Sequence, residues 1–380
     1  VVKMFTMDTY RRLPVRFVKG EGAYLYDDKG RRYLDFLSGI AVNSLGYGDP
    51  EFTEALCQQA RELLHVSNLF ENPWQEELAG MLLKHFWTRG KAFFCNSGAE
   101  ANEAAIKLLR RYFYERGEKR YRIITFYNSF HGRTFGSMSA TAQEKIHVGF
   151  EPLLEGFDYA ELNSMESVMK ALKSETGGIM LEVLQGEGGI READGEFLSK
   201  LQDLCRREGL LLIVDEVQTG IGRTGRFYAY EHYGLQPDIL TLAKGLGGGV
   251  PIGALLAREE VAKAFKPGSH GSTFGGNPLV CACAKVVVRR VEELLPRVEK
   301  VGNYFKQRLL ELQAGKVRGK GLMLGLELHK ECAPIVLKAL ELGLVINCTS
   351  EKVLRFLPPL IVEESHVDEA VDILKEALKP

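Results

Sequence analysis

The sequence predicts an α/β fold: a large domain on a mostly parallel sheet, joined by a smaller α+β domain. Three observations point there. The chain has 380 residues, enough for two or three domains at about 150 residues each. Its middle alternates helical patterns with short, nearly all-apolar runs, which suit strands covered by helices on both faces. Its last part returns to strands paired with amphipathic helices.

Taken in order, GAYLYDD (22–28) and RRYLDFL (31–37) read as a hairpin turning at Lys29-Gly30. From about residue 50 the apolar runs AFFC (92–95), RIITF (122–126), GIMLEVL (178–184), LLLIVDE (210–216) and DILTLA (238–243) read as buried strands. A long helical pattern opens at NPLVCACAKVVV, with Pro296 interrupting it. Strands follow at 321–328, 344–348 and 353–362, with helices near 331–342 and 366–378. The expected division is 1–49, an N-terminal segment with its hairpin belonging to the small domain; 50–275, the large domain; and 276–380, a linking helix and the C-terminal α+β part. No repeat or low-complexity segment is visible.

Hydrophobic residues make up 45% and charged residues 26% of the chain, the composition of a folded, soluble protein. Lys plus Arg number 49 against 50 Asp plus Glu, a net charge of -1, so no field is available for nucleic acid or an acidic membrane. No apolar run approaches the roughly 20 residues of a membrane span, and the opening VVKMFTMDTYRRLPVRF lacks the apolar core of a signal peptide. A cytoplasmic protein is expected. Cys57, Cys95, Cys205, Cys281, Cys283, Cys332 and Cys348 are scattered without paired spacing, which argues against a disulfide framework. Cys281 and Cys283 sit two apart on a helix and read as packing, and the eight histidines show no ligand spacing. No bound metal is expected.

GIGRTG (220–225) matches a dinucleotide-binding turn, but the acidic residue expected to end a second strand, Asp238, starts one instead. Glycine turns around a packed Arg223 are the better reading, and a nicotinamide oxidoreductase is disfavoured. Asp215 and Lys244 end consecutive apolar runs, which brings both to one carboxyl edge of the sheet. Taken alone, the pair reads as a salt bridge beside a loop. The sharper reading is a Schiff-base lysine with an aspartate against the pyridinium nitrogen of pyridoxal phosphate. That reading needs a phosphate site, and Asn96-Ser97-Gly98-Ala99 runs from a strand into a long helix whose first N–H groups could hold one. Ser97 with Glu100 fits a capping box equally well. In YNSFHGRTFGS, Phe130 could stack on a cofactor and Arg133 reach a carboxylate, or the aromatic could simply pack into the core.

The blocks NSGAEANEAAIK, NSFHGRT, LQGEGGI, DEVQTGIGRTG, LAKGLGGGVPIGA, HGSTFGGNP and VLRFLPPL, in this order, resemble the class III, or ω-amino acid, pyridoxal-phosphate aminotransferases over almost the whole chain. The resemblance implies a fold type I transferase with pyridoxal 5'-phosphate as cofactor. It implies Lys244 as the Schiff-base lysine and Asp215 on the pyridine nitrogen, with Phe130 and Val217 flanking the ring and Gln218 at its phenolic oxygen. Gly98 and Ala99 would bind the phosphate, supported by Ser97, and Ser272 and Thr273 would reach it from a partner subunit, hence a homodimer with composite sites. Arg133 would hold the distal carboxylate of a substrate, Arg355 the α-carboxylate of glutamate, and Glu187 would cover Arg355 when an ω-amine is bound; Tyr10 would touch substrate.

Read on residues alone, Glu187 and Arg355 are an ordinary ion pair. The reaction the resemblance favours is transamination of N-acetylornithine with 2-oxoglutarate in arginine biosynthesis, with succinylornithine, ornithine, 4-aminobutyrate or a carrier-bound diamine as alternatives in the same family. By the resemblance, Gly39 and Ile40 would fall where related enzymes vary a pocket wall, and the lack of an aromatic there speaks mildly against plain ornithine. The sequence departs from the family pattern at Ala99, usually threonine, Val183, usually proline, and Tyr47, usually histidine.

Overall fold

The structure, a computed structural model, describes residues 4–380; residues 1–3 of the predicted N-terminal segment lie outside it. The strands in chain order are β1 (Phe17–Glu21), β2 (Tyr24–Asp27), β3 (Arg32–Asp35), β4 (Gly90–Cys95), β5 (Arg122–Phe126), β6 (Phe157–Ala160), β7 (Thr176–Leu181), β8 (Leu184–Gln185), β9 (Arg191–Glu192), β10 (Leu211–Asp215), β11 (Ile239–Leu242), β12 (Gly253–Arg258), β13 (Lys316–Lys320), β14 (Met323–Glu327), β15 (Leu344–Val345), β16 (Asn347–Thr349) and β17 (Val353–Phe356).

Seven of these form one sheet in the order β4-β12-β11-β10-β7-β5-β6. Only β12 runs against its neighbours, so the sheet is mostly parallel as expected, with one reversed strand that the sequence reading did not include. β7, β10 and β11 are buried along their whole length, which is why they carry almost no polar residues. The helix Gly98–Glu115 covers one face with Ala101, Ala104, Ala105, Leu108 and Leu109; its small residues allow close approach. β10 ends at Asp215 and β11 stops two residues short of Lys244, so the carboxyl edge gathers both side chains.

The predicted hairpin forms as β2 and β3 and is extended by β1. β3 then pairs in parallel with β15, Leu34 opposite Leu344, so the N-terminal segment and the C-terminal part share a sheet. The other C-terminal sheet runs β13-β14-β17-β16. Here the predicted run LVINC divides at Ile346: Leu344–Val345 joins β3, while Asn347–Thr349 joins β17. The predicted strand 353–362 stops at Phe356, because Pro358 and Pro359 carry no N–H for a ladder. The strand expected at 178–184 ends at Leu181, and the next residue, Glu182, turns its carboxylate to the N–H groups of Phe130 and Gly186.

Pro296 does not interrupt its helix: Pro278–Glu311 runs for 34 residues through it. Val287, Val288 and Val291 before the proline and Val298, Val301 and Phe305 after it are all buried. At about 1.5 to 3 kcal/mol for each buried side chain, this packing outweighs the roughly 3 kcal/mol cost of an internal proline. Cys281 and Cys283 are buried in this helix, as packing predicts. One disulfide that the sequence reading did not include joins Cys332 to Cys348; the fold brings the cap of the helix Ala333–Glu341 beside β16, with Cα atoms 5.6 Å apart. Three helices begin alike, Asp49-Pro50, Asn72-Pro73 and Asn277-Pro278, each acidic or amide side chain accepting from an N–H three residues on.

Candidate active site

A cleft of about 440 Å³ opens at the carboxyl edge of the large sheet, within the size range of small-molecule sites. Ser97, Gly98, Ala99, Phe130, Arg133, Glu187, Asp215, Val217, Gln218 and Lys244 all line it. None of residues 220–225 does. Arg223 is instead buried, donating to the carbonyls of Leu322 and Pro358 at 3.0 and 2.5 Å, as the packed-arginine reading expects.

Asp215 is fixed on three sides. Oδ1 accepts the Val217 N–H at 2.9 Å, while Oδ2 accepts Asn102 Nδ2 at 2.9 Å and pairs with His131 Nδ1 at 2.7 Å. Burial works to lower the His131 pKa, but the hydrogen bond to Asp215 and the charges of Asp215 and Glu182 outweigh it, and the value is raised. Lys244, at positive φ after the β11 strand, makes no side-chain hydrogen bond among the described residues. Burial lowers its pKa below the ordinary lysine value; Glu187 opposes this and Arg355 adds to it.

At one end of the cleft the helix Gly98–Glu115 starts. Ser97 caps it, accepting the Glu100 N–H and donating to the Glu100 carboxylate, so the cap forms without the reciprocal backbone bond of a full capping box. The N–H groups of Gly98 and Ala99 have no partner among the described residues and stand open at the positive end of the helix. A Cβ on Gly98 would lie 2.6 Å from Val217 Cγ1, so only glycine lets this turn approach the Val217 side.

Arg355 is wholly buried behind the cleft wall. It donates through Nη1 to Glu187 Oε1 at 2.9 Å and Gln218 Oε1 at 3.2 Å, and through Nε to Asn347 Oδ1 at 3.1 Å. Burial would raise the Glu187 pKa, but the charges of Arg355 and Lys244 hold it below the usual carboxylate range. Arg133 stands exposed at the mouth, its guanidinium 5.9 Å from the Phe130 ring centre.

Besides Arg355, which lies behind the wall, three predicted residues do not line the cleft of this chain. Tyr10 is exposed, Thr273 is exposed, and Ser272 accepts from Asn96 Nδ2 at 3.3 Å. Asn102, His131 and Glu182 line it without having been assigned a role from sequence. Burial pushes the Glu182 carboxyl up to about 7, against its two backbone N–H partners. His131 sits inside the NSFHGRT block and was open to notice; Asn102 carried no local signal, since its partner is over a hundred residues away.

An open helix N-terminus, a buried aspartate with fixed donors, an aromatic side chain and a buried lysine meet in one cleft at the carboxyl edge of the sheet. The family described as Aminotransferase class-III matches residues 6–378, and the chain belongs to it. A curated protein of Aquifex aeolicus named acetylornithine aminotransferase is 64% identical over 98% of this chain and 100% of its own. One of the same name from Methanocaldococcus jannaschii is 49% identical over 98% of this chain and 96% of its own. Among solved structures, an N-acetylornithine aminotransferase from Stenotrophomonas maltophilia is 36% identical, with a TM-score of 0.84 over 97% of this chain and 96% of its own. The ornithine aminotransferase of Toxoplasma gondii is 33% identical, with a TM-score of 0.93 over 98% of this chain and 92% of its own.

Proposed function

We propose that this aminotransferase uses pyridoxal 5'-phosphate to move the δ-amino group of N-acetylornithine to 2-oxoglutarate, giving N-acetylglutamate semialdehyde and glutamate, a step of arginine biosynthesis. The observation that carries the reading is the Glu187–Arg355 pair beside Lys244: a cation suited to an α-carboxylate, covered by a carboxylate that can leave. The names of the relatives support the choice of amine donor.

The donor set fits the cofactor. Gly98 and Ala99 offer two open N–H groups for a phosphate, and the glycine leaves room where a Cβ would meet Val217. Bound there, pyridoxal phosphate supplies the electron sink that stabilises charge on the substrate carbon bearing the amine.

The residues divide the remaining work. Asp215 would hold a proton on the pyridine nitrogen, because a fixed carboxylate favours the cation. Phe130 and Val217 would flank the ring, Gln218 would meet its phenolic oxygen, and Ser97 would steady the phosphate turn. Lys244 would hold the cofactor and serve as the base that takes the proton from the substrate carbon bearing the amine; burial favours its neutral, basic form. Arg133 holds the distal carboxylate of either substrate. Arg355 takes the α-carboxylate of glutamate by a bidentate pair, and Glu187 covers it otherwise.

Tyr10 would touch substrate, and in a homodimer Ser272 and Thr273 would reach the phosphate held by a partner subunit. The exposed Leu64, Leu69, Phe70 and Phe274 support such an interface: His65 lies 5.3 Å from the Phe274 ring, and Asn68 donates to the Ser272 and Gly275 carbonyls, which draws these segments together. No described helix is long and apolar enough to cross a membrane. The division of the chain at residues 49 and 275 stands as part of the proposal.

The test is to incubate the holoenzyme with 2-oxoglutarate and, in turn, N-acetylornithine, succinylornithine, ornithine and 4-aminobutyrate, and to quantify glutamate, with Lys244→Ala as control. N-acetylornithine should give the highest kcat/KM. A higher value for another amine transfers the donor assignment to it, and full activity in Lys244→Ala removes the mechanism.

A further inference from the structure

Resting on that reading, we infer that Asn347 is a positioning residue that keeps Arg355 aimed at the substrate α-carboxylate when Glu187 has moved away. Arg355 has donors only, and in this structure three side chains receive them: Glu187, Gln218 and Asn347. They differ in how firmly they are held. The Glu187 side chain is 30% exposed. It lies in the glycine-rich stretch 186–189, with Gly189 at φ 102. Asn347 sits on β16 directly opposite Arg355 on β17. That strand is tied at Cys348 by the bridge to Cys332, and the Thr349 hydroxyl donates to the Glu187 carbonyl at 2.5 Å. The residue that can leave is Glu187, and the one built into the sheet is Asn347.

The chemistry of the amide suits this task. A neutral oxygen on Nε holds the plane of the guanidinium without cancelling its charge, whereas a carboxylate there would compete with substrate. With Nε occupied, only the Nη1–Nη2 edge stays open to a bidentate carboxylate. Nη2 is buried and has no partner among the described residues. A buried charged donor left unmade is costly, which marks that edge as the one a ligand completes. The amine half-reaction, in which Glu187 stays on Nη1, has less need of Asn347.

The experiment measures the two half-reactions separately in the holoenzyme, with glutamate and with N-acetylornithine, for wild type, Asn347→Leu and Asn347→Ala. The ratio of the two rates within one sample is independent of the folded fraction, so reduced folding of either variant leaves it readable. Calorimetry with glutarate, an unreactive five-carbon dicarboxylate, gives a readout apart from turnover. Losing a hydrogen bond to a charged group predicts a glutamate KM and a glutarate Kd raised roughly ten-fold or more, with the N-acetylornithine KM within about two-fold of wild type. Equal losses in both half-reactions, or an unchanged ratio in both variants, overturn the inference. Wild-type protein that turns over neither amine overturns the proposed reaction itself, a result visible without any variant.

Discussion

Glu187 and Arg355 form an ion pair with unequal members: the guanidinium side chain is 0% exposed and the carboxylate 30%, with Nη1 and Oε1 2.9 Å apart. Removing the carboxylate leaves a buried charge uncovered, while removing the cation leaves a partly hydrated one. The pair therefore behaves as a fixed cation with a removable cover. In Glu187→Gln the cover loses its charge, so glutamate should gain relative to N-acetylornithine, the ratio of their half-reaction rates rising roughly ten-fold through the lost charge-assisted bond. Stopped-flow measurement of each half-reaction checks this. Both rates falling together would count against the cover role.

Gly98 and Val217 make a second, independent test of the cleft. Gly98→Ala places a Cβ 2.6 Å from Val217 Cγ1, and one of the two walls must shift. Overpacking of this kind costs about 1 to 3 kcal/mol, so the affinity of cofactor-free protein for pyridoxal phosphate should fall roughly ten-fold or more. The double variant Gly98→Ala/Val217→Ala restores the space and should recover most of the loss. Fluorescence quenching on titration with the cofactor measures all three. A double variant no tighter than the single one would place the clash elsewhere.

The parts of this site that were legible in the sequence are those whose chemistry sits at a strand end. Asp215 closes an apolar run and Lys244 follows another, and parallel strands carry both to the same edge. Arg223 was legible as a packed residue because the acidic residue that a dinucleotide turn needs at the end of a second strand, Asp238, starts one instead. What stayed hidden depends on contacts across the chain. Asn102 reaches Asp215 from a helix face, and nothing local separates it from any other polar residue on a helix. Asn347 belongs to a three-residue strand, too short for a period-2 pattern to register. The reversal of β12 likewise follows from its neighbours rather than from its composition. The Cys332–Cys348 bridge depends on a helix cap meeting an edge strand, which spacing alone does not reveal.

His131 gives the stability of the cofactor-free protein a defined pH dependence. Its pKa is raised in the fold, burial opposing and the hydrogen bond and charge of Asp215 prevailing. The folded chain then binds this proton more tightly than the unfolded chain does. The stabilisation is fully present below the unfolded value, about 6.5, and is lost as pH rises through the raised folded value. The stability difference between wild type and His131→Gln should be largest below about pH 6.5 and shrink above it. Urea unfolding of both proteins across that range measures it; a difference that grows with pH would mean that His131 is neutral in the fold.

Pro296 offers the opposite case, a residue whose removal should help. It stands exposed in the helix Pro278–Glu311, where it withholds an N–H from the carbonyl of Glu292 and crowds it. Because the position is exposed, Pro296→Ala opens no cavity and adds no clash. Replacing an internal proline by alanine is worth about 3 kcal/mol in the helix itself, but alanine also frees the unfolded chain, which returns about 0.4 to 1 kcal/mol. The net gain should be about 2 to 2.6 kcal/mol, seen as a higher urea midpoint at unchanged slope and with transaminase activity unaltered. A lower midpoint would mean that the proline's restriction of the unfolded chain outweighs its cost in this helix, and that the buried valines on either side already hold the local backbone in a shape that needs no Glu292 hydrogen bond.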